Sequence, residues 1–250
     1  MDSDNGRGIR ICLLSEIDEY VQLNEPFQFS IDIPNFQLEL SEILPYDNDL
    51  ISVCISNTSG VVDGNEYNNV RSVVKASQFK EMFEHAQSDP TSSDQQLYLS
   101  QGLIYSKDEE GSDTSSNPFS HLLNKLEEPI SQLGFKTMDE DLDSINLWIS
   151  TFPTISSTHF DEHPNFLHVI KGNKTVKLWH SSNSQSSINP YPISSSACHF
   201  STNTTCQFPN LISELNQGDC LFIPEGWWHQ VFLILKDFSS LNYIYFILLI

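Results

Sequence analysis

The chain has 250 residues and a formal net charge of −21, from 12 basic and 33 acidic side chains. A chain of this length forms one domain, or one domain with an extension. Its acidic surface would repel phosphate backbones, which argues against direct nucleic-acid binding but is compatible with a basic protein or peptide substrate. A solvated acidic surface that serves solubility explains the charge equally well.

The five cysteines form no C-x-x-C pair and no even disulfide framework, and the acidic amino terminus shows no apolar leader. These features predict an intracellular protein, cytoplasmic or nuclear, with reduced thiols. The apolar stretch 241–250 is too short to span a bilayer. Lys236, Asp237 and two serines interrupt any longer apolar run, so the region is interpreted as two core strands, and no contact with a membrane is expected.

Residues 1–95 are poorly patterned and predict a flanking region of mixed structure. Within it, 9–14 is compatible with a strand, and 76–86 has apolar residues at helical spacing. A second helix is predicted over 121–133. The stretch 181–203 is rich in Ser and Asn, which is typical of a long loop between strands.

The centre of the chain consists of short apolar runs separated by turn residues. Two such runs flank Lys171–Lys174, a Lys-Gly-Asn-Lys stretch that predicts a β-hairpin because Gly and Asn tolerate positive φ. A further turn, a short apolar strand and a second turn follow over 218–226. This pattern, without a long amphipathic helix, indicates a closed or sandwiched β architecture.

His159 and Asp161 are separated by one residue, and His229 follows seventy residues after His159. Residues i and i+2 of a strand project to the same face, so this imidazole and carboxylate can address one ion. A third ligand from a distant strand leaves the opposite positions open, as in the 2-His-1-carboxylate sites of non-haem Fe(II) oxygenases. Taken alone, the three residues are also compatible with a surface carboxylate beside a partly buried histidine. His163 and His168 are interpreted as rim or structural residues.

Longer motifs surround these three residues. They are Tyr98–Gln101, Ile145–Ile149, Thr158–Glu162, Asn165–Phe166, Ile170–Lys174 and Gly218–His229. In this order, and over roughly half of the chain, the motifs resemble a JmjC domain. The most similar branch is that of the small JmjC hydroxylases, such as the asparaginyl hydroxylase of hypoxia-inducible factor and the plant cupin-like JmjC proteins.

This resemblance implies a mainly β fold, a double-stranded β-helix of the jelly-roll (cupin/JmjC) type, with flanking helices in the N-terminal part. The JmjC/cupin-like domain would cover residues 96–250, with atypical strands after residue 230. Either Leu241–Tyr243 belongs to the last strand, or unrelated sequence replaces the last strands and leaves the barrel incomplete. Both alternatives stay open at this point.

The resemblance also implies Fe(II) as the metal and 2-oxoglutarate as co-substrate, with His159, Asp161 and His229 as the iron ligands. The residues implied at the 2-oxoglutarate site are Lys174, Ser156, Tyr98, Asn165 and Asn242. Lys174 would pair with the distal carboxylate, whose charge needs compensation inside a β-barrel. Plainer interpretations are a solvated hairpin lysine for Lys174, a strand serine for Ser156 and a core residue for Tyr98.

The function implied is that of an Fe(II)/2-oxoglutarate-dependent oxygenase, which hydroxylates a protein side chain or demethylates a methyl-lysine and releases succinate and CO2. Hydroxylation is preferred because no histone-reading module accompanies the domain. The alternatives are a non-catalytic JmjC-fold interaction module and a metal cupin enzyme that does not use 2-oxoglutarate. Small JmjC hydroxylases often dimerise, so a homodimer is also expected.

Overall fold

The structure is a computed structural model that contains four helices and fifteen strands among the residues it describes. The described residues are 7–31, 40–56, 60–63, 70–88, 96–107, 117–133, 142–183, 186–203, 206–233 and 243–249. The helices are α1 (Ile17–Gln22), α2 (Leu40–Ile43), α3 (Ala76–Ser88) and α4 (Leu123–Gln132). Short 3-10 turns precede α1 and α4 directly.

The strands fall into an early and a late group. The early strands are β1 (Arg7–Gly8), β2 (Arg10–Ile11), β3 (Phe27–Ser30), β4 (Leu50–Ser56), β5 (Gly60–Asp63), β6 (Val70–Lys75) and β7 (Gln96–Ser106). The late strands are β8 (Ser144–Ser150), β9 (Thr154–Ser156), β10 (Asn165–Lys171), β11 (Lys174–Trp179), β12 (Leu211–Leu215), β13 (Asp219–Ile223), β14 (Trp228–Leu233) and β15 (Tyr243–Leu249). Strands dominate the described residues, which confirms the predicted mainly β class.

Two sheets pack face to face. One has six strands in the order β1-β12-β11-β14-β9-β5, and the other has nine in the order β2-β3-β13-β10-β15-β8-β7-β4-β6. Buried side chains of both sheets form one apolar cluster between them, with Leu167 and Leu221 from the nine-stranded sheet and Val176 and Val231 from the six-stranded sheet. The space between the sheets is therefore the interior of the barrel.

A second apolar core lies on the outer face of the nine-stranded sheet. There α3 buries Phe79 and Phe83 and α4 buries Leu126, all in one cluster with Phe166 of β10. The two helices predicted from apolar spacing are thus confirmed, and they cover the sheet face that points away from the barrel. None of the described helices has the length and apolar character needed to cross a membrane.

The predicted β-hairpin around Gly172 is wrong. The turn itself forms, with Gly172 at a φ of 91°. However, β10 pairs with β13 and β15, whereas β11 pairs with β12 and β14, so the chain crosses from one sheet to the other. Turn residues report a local change of direction, and they do not determine which strands pair on either side of it.

The end of the chain supplies a strand to the nine-stranded sheet. β15 pairs with β10 on one side and with β8 on the other. Tyr243 begins β15, and β15 connects the two halves of this sheet. The alternative in which the last strands are missing and the barrel is incomplete is therefore wrong. Asn242 lies outside the described residues. The division of the chain at residue 95 remains a prediction.

His168 lies in β10 and is buried at 3% exposure. Burial lowers its pKa from 6.5 to about 4, and the nearby Asp219 carboxylate offsets this effect only in part. The unfolded chain therefore binds a proton at His168 between pH 6.5 and pH 4 that the folded protein does not bind. The contribution of His168 to the free energy of unfolding is therefore present in full above pH 6.5, and it is lost as the pH drops through this window.

We expect a His168→Leu variant to lose this part of the pH dependence. Between pH 7.5 and pH 5, the free energy of unfolding of the metal-free wild type should fall by about 2 kcal/mol more than that of the variant. Urea unfolding at the two pH values measures the difference, and His229 titrates in both proteins and cancels. If the free energy of unfolding depended on pH equally in the two proteins, His168 would not have the lowered pKa assigned to it.

Candidate metal centre

The side chains of His159, Asp161 and His229 come together at one end of the barrel. One possible ligand atom from each residue lies within 4.8 Å of the other two. Asp161 Oδ1 is 4.0 Å from His159 Nε2, and Asp161 Oδ2 is 3.6 Å from His229 Nε2. Two imidazole nitrogens and one carboxylate therefore converge on a single point.

Backbone pairing holds the two histidines side by side. His159 N donates to His229 O at 3.0 Å, and His229 N donates to His159 O at 2.7 Å. Residues directly opposite each other in an antiparallel pair project to the same face, and the two ring centroids are indeed 4.3 Å apart. Asp161 is tied to the turn before β14, because Gly226 N donates to Asp161 O at 3.0 Å.

Hydrogen bonds to the backbone determine which nitrogen of each imidazole faces the centre. His159 Nδ1 lies 2.8 Å from Ser157 O, and His229 Nδ1 lies 3.1 Å from Trp227 O. A carbonyl oxygen can only accept, so each Nδ1 carries the proton and each Nε2 keeps its lone pair for an ion. Burial, together with the neighbouring His159, lowers the pKa of His229 to about 4. His229 is therefore neutral at pH 7, as metal binding requires.

Asn165, the first residue of β10, orients the carboxylate. Its Nδ2 donates to Asp161 Oδ2 at 2.7 Å, and the amide is buried. Asn165 Oδ1 has no hydrogen-bond partner among the described residues. This amide fixes the carboxylate between the two Nε2 atoms, and supports of this kind commonly tune metal affinity. The donor set suits a divalent transition metal such as Fe(II), because it combines two imidazoles with one carboxylate and leaves coordination positions open.

Lys174 is buried deeper in the barrel. It begins β11 and alternates with Val176, so its side chain points between the sheets, with Leu215 and Leu233 as its cross-strand neighbours. Its exposure is 2%, and burial lowers the pKa of its ammonium well below 10.5. A solvated hairpin lysine is therefore excluded. A buried amino group that takes up a proton when a carboxylate binds matches the requirement of the distal carboxylate, so the site fits 2-oxoglutarate in this respect.

The other residues implied at the 2-oxoglutarate site differ in their surroundings. Tyr98 is buried and belongs to the apolar cluster between the sheets. Ser156 Oγ accepts a hydrogen bond from Val231 N at 2.9 Å, and Gln230 Nε2 donates to Ser156 O at 2.9 Å. Ser156 thus joins β9 to β14 through these contacts. Asn242, as noted, is not among the described residues.

Part of the predicted 181–203 loop lies against the metal-binding segment, which sequence reasoning did not anticipate. Phe160 N donates to His199 O at 3.1 Å, and Ser201 N donates to Thr158 O at 2.8 Å. Between them, Phe200 is paired with His159, and their ring centroids are 5.5 Å apart. Phe200 therefore forms a wall beside the candidate ligand.

Comparison with known proteins places this architecture in a family. Residues 44–245 match the model of the family described as "Cupin-like domain". Lysine-specific demethylase JMJ31 of Arabidopsis thaliana is 41% identical over 106 residues, which are 37% of this chain and 19% of that protein. JmjC domain-containing protein D of Dictyostelium discoideum is 32% identical over 115 residues, 40% of this chain and 25% of that protein.

A third relative, lysine-specific demethylase 8 of Xenopus tropicalis, is 30% identical over 112 residues, 40% of this chain and 25% of that protein. The matches thus span about a fifth to a quarter of the length of these relatives. Among solved structures, E. coli ycfD aligns with a TM-score of 0.52 and 11% identity, over 94% of this chain and 51% of that chain. This likeness concerns the fold, and it confirms the predicted jelly-roll architecture. The chain belongs to the JmjC/cupin-like family.

Proposed function

We propose that this protein is an Fe(II)- and 2-oxoglutarate-dependent oxygenase that hydroxylates a side chain of a protein substrate. The observation that carries the proposal is the convergence of His159 Nε2, His229 Nε2 and an Asp161 oxygen within 4.8 Å, with both imidazoles oriented by backbone carbonyls. When bound, the metal and 2-oxoglutarate supply oxidation of a substrate C–H bond by dioxygen, with succinate and CO2 as products.

The protein's own residues bind, orient and exclude water. His159, Asp161 and His229 would hold the metal on one side and leave the other side open, and Asn165 would keep the carboxylate in position. Lys174 would bind the distal carboxylate of 2-oxoglutarate, with Tyr98, Ser156 and Asn242 as further polar groups at that site. The apolar cluster between the sheets keeps bulk water from this end of the site.

The substrate is proposed to be a protein or peptide with basic character, because the chain carries a net charge of −21. A second candidate reaction is demethylation of a methyl-lysine, which is favoured by the names of the curated relatives. Both reactions begin with oxidation of a C–H bond, so the same site serves either. The cytoplasmic or nuclear location and the homodimer remain predictions.

The experiment that tests the proposal is an anaerobic titration of the metal-free protein with Fe(II) and then 2-oxoglutarate. We expect a weak visible charge-transfer band, which reports chelation of Fe(II) by the keto acid. His159→Ala should abolish the band, whereas His85→Ala, which removes an exposed imidazole on α3, should leave it unchanged. Metal binding without the band would favour a cupin enzyme that does not use 2-oxoglutarate. Absence of metal binding would favour a non-catalytic interaction module.

A further inference from the structure

A cleft of about 690 Å³ opens where the edges of the two sheets separate. Its walls include Arg7 of β1 and Leu211 of β12 from the six-stranded sheet, and Glu25 and Pro26, just before β3, from the nine-stranded sheet. Farther along the same edges, Gln28 joins the sheets through hydrogen bonds to β12, one of them from Ser213 Oγ at 2.9 Å. The cleft therefore lies at the end of the line along which the two sheet edges are joined.

The exposed surface of the cleft is more polar than apolar, but several apolar side chains contribute to it. Pro26, Phe208, Leu211 and Trp227 all line it. Phe208 is 51% exposed and has a φ of 53°, a left-handed conformation that bulky residues rarely adopt. Exposing an aromatic ring on such a backbone is costly, and conformations of this kind cluster at binding sites.

The wall that carries Phe208 is held in place by hydrogen bonds. Asn183 Nδ2 donates to Phe208 O at 2.9 Å and to Asn210 Oδ1 at 3.0 Å. Arg7 N in turn donates to Asn210 O at 3.0 Å. The cleft is thus formed before any ligand arrives, which lowers the entropic cost of binding.

The cleft also offers one group of each charge. Arg7, in β1, and Glu25, just before β3, are both exposed. Asn210 Nδ2 adds a donor that has no hydrogen-bond partner in the described part of the chain. A ligand that satisfies these groups needs an apolar body, one acidic group and one basic group. A short peptide has this combination.

The cleft lies beside the candidate metal centre. Leu178 pairs with Leu211 on one side and with His229 on the other, so Leu211 and His229 are two strand spacings apart, about 10 Å. Trp227 lines the cleft, and its carbonyl oxygen also accepts the hydrogen bond of His229 Nδ1.

We propose that the cleft binds an extended segment of the polypeptide substrate. An apolar side chain of this segment packs against Phe208 and Trp227, flanked by an acidic residue at Arg7 and a basic residue at Glu25. Peptide binding in the cleft stands on its geometry, whereas the identification of the peptide as substrate rests on the proposed oxygenase function.

The test is a selection of random heptapeptides displayed on phage against the full chain, followed by affinity measurements on the enriched peptides. Phe208→Gly is the decisive variant, because glycine adopts the positive φ without strain and only the ring is lost. Ile193→Ala removes an apolar side chain that is 94% exposed and does not line the cleft, and it serves as the matched control.

We expect enriched peptides with an apolar residue between opposite charges, bound at least about tenfold more weakly by Phe208→Gly and equally well by Ile193→Ala. Arg7→Glu should weaken binding, and replacing the acidic residue of the peptide by lysine should restore it. Failure of the wild type to enrich peptides, or equal affinity of Phe208→Gly, would overturn the proposal.

The same peptides should bind His159→Ala as tightly as the wild type, because the cleft does not require the metal. Peptide binding without a charge-transfer band would retain the cleft and reject the oxygenase function. A charge-transfer band without peptide enrichment would retain the oxygenase function and reject peptide binding in the cleft.

Discussion

Replacing Asp161 by Asn is expected to lower the affinity for Co²⁺, a spectroscopic substitute for Fe(II), by at least about 100-fold. The substitution removes the charge that lies between two imidazole Nε2 atoms, at 4.0 Å and 3.6 Å, while it keeps the shape of the side chain. It also keeps an oxygen that can accept the hydrogen bond from Asn165. Anaerobic titration followed by the ligand-field absorption of Co²⁺ measures the loss.

Asp143→Asn is the matched control for this change. Asp143 is an acidic residue near the site in sequence, its Oδ2 lies 3.3 Å from His163 Nδ1, and each of the two side chains is about half exposed. If affinity depended only on the acidic charge around the site, both substitutions would weaken Co²⁺ binding to a similar extent. We expect Asp143→Asn to change the affinity by less than about threefold, since exposed charges are well screened. Equal losses in the two variants would argue against a coordinating role for Asp161.

The three convergent residues could be predicted because two of them obey a local rule. The alternation of side chains along an extended chain predicted that His159 and Asp161 face the same side, and their side chains do converge although only His159 forms a β-bridge. His229 is seventy residues away, and its place beside His159 depends on a backbone pair that no local pattern specifies. Its assignment required the resemblance to a family.

What could not be predicted depends on backbone atoms and on strand partners. The carbonyl oxygens of Ser157 and Trp227 select the tautomers of both histidines, yet a carbonyl group is common to every residue. The turn around Gly172 predicted a hairpin, although the flanking strands pair in different sheets. The contact of Phe200 with His159 likewise comes from a segment that is rich in Ser and Asn and has no strand signal.

Burial of Lys174 was the most consequential point left open by sequence alone. A lysine two residues after a Gly at a turn is ordinarily solvated. The sequence alone does not distinguish a solvated Lys174 from a buried one that binds a carboxylate. Long-range packing decided between them, because strands of two sheets enclose the first residue of β11. An amino acid that is usually exposed is retained in an apolar interior at a cost in stability, which is characteristic of functional sites.

The cost of burying Lys174 leads to a prediction with two opposite readouts. In Lys174→Met, the neutral side chain fills nearly the same volume, so the melting temperature of the ligand-free protein should be no lower than that of the wild type. Affinity for 2-oxoglutarate should nevertheless fall by at least about 100-fold, because the carboxylate would enter the barrel without a counter-charge. Titration of 2-oxoglutarate into the Co²⁺-loaded protein measures the affinity, and Co²⁺ binding itself should not change.

Lys177→Met separates this effect from a general loss of positive charge. Lys177 lies three residues farther along β11 and faces the other side of the sheet, with its Nζ 5.0 Å from the centre of the Phe232 ring. Its substitution removes the same charge from the same strand but from outside the barrel, so 2-oxoglutarate affinity should stay within about threefold of the wild type. If Lys174→Met kept its affinity for 2-oxoglutarate, the buried ammonium would have no part in binding the co-substrate. If Lys174→Met instead lost stability without ligand, the ammonium would be a structural group whose partners in the barrel outweigh its desolvation.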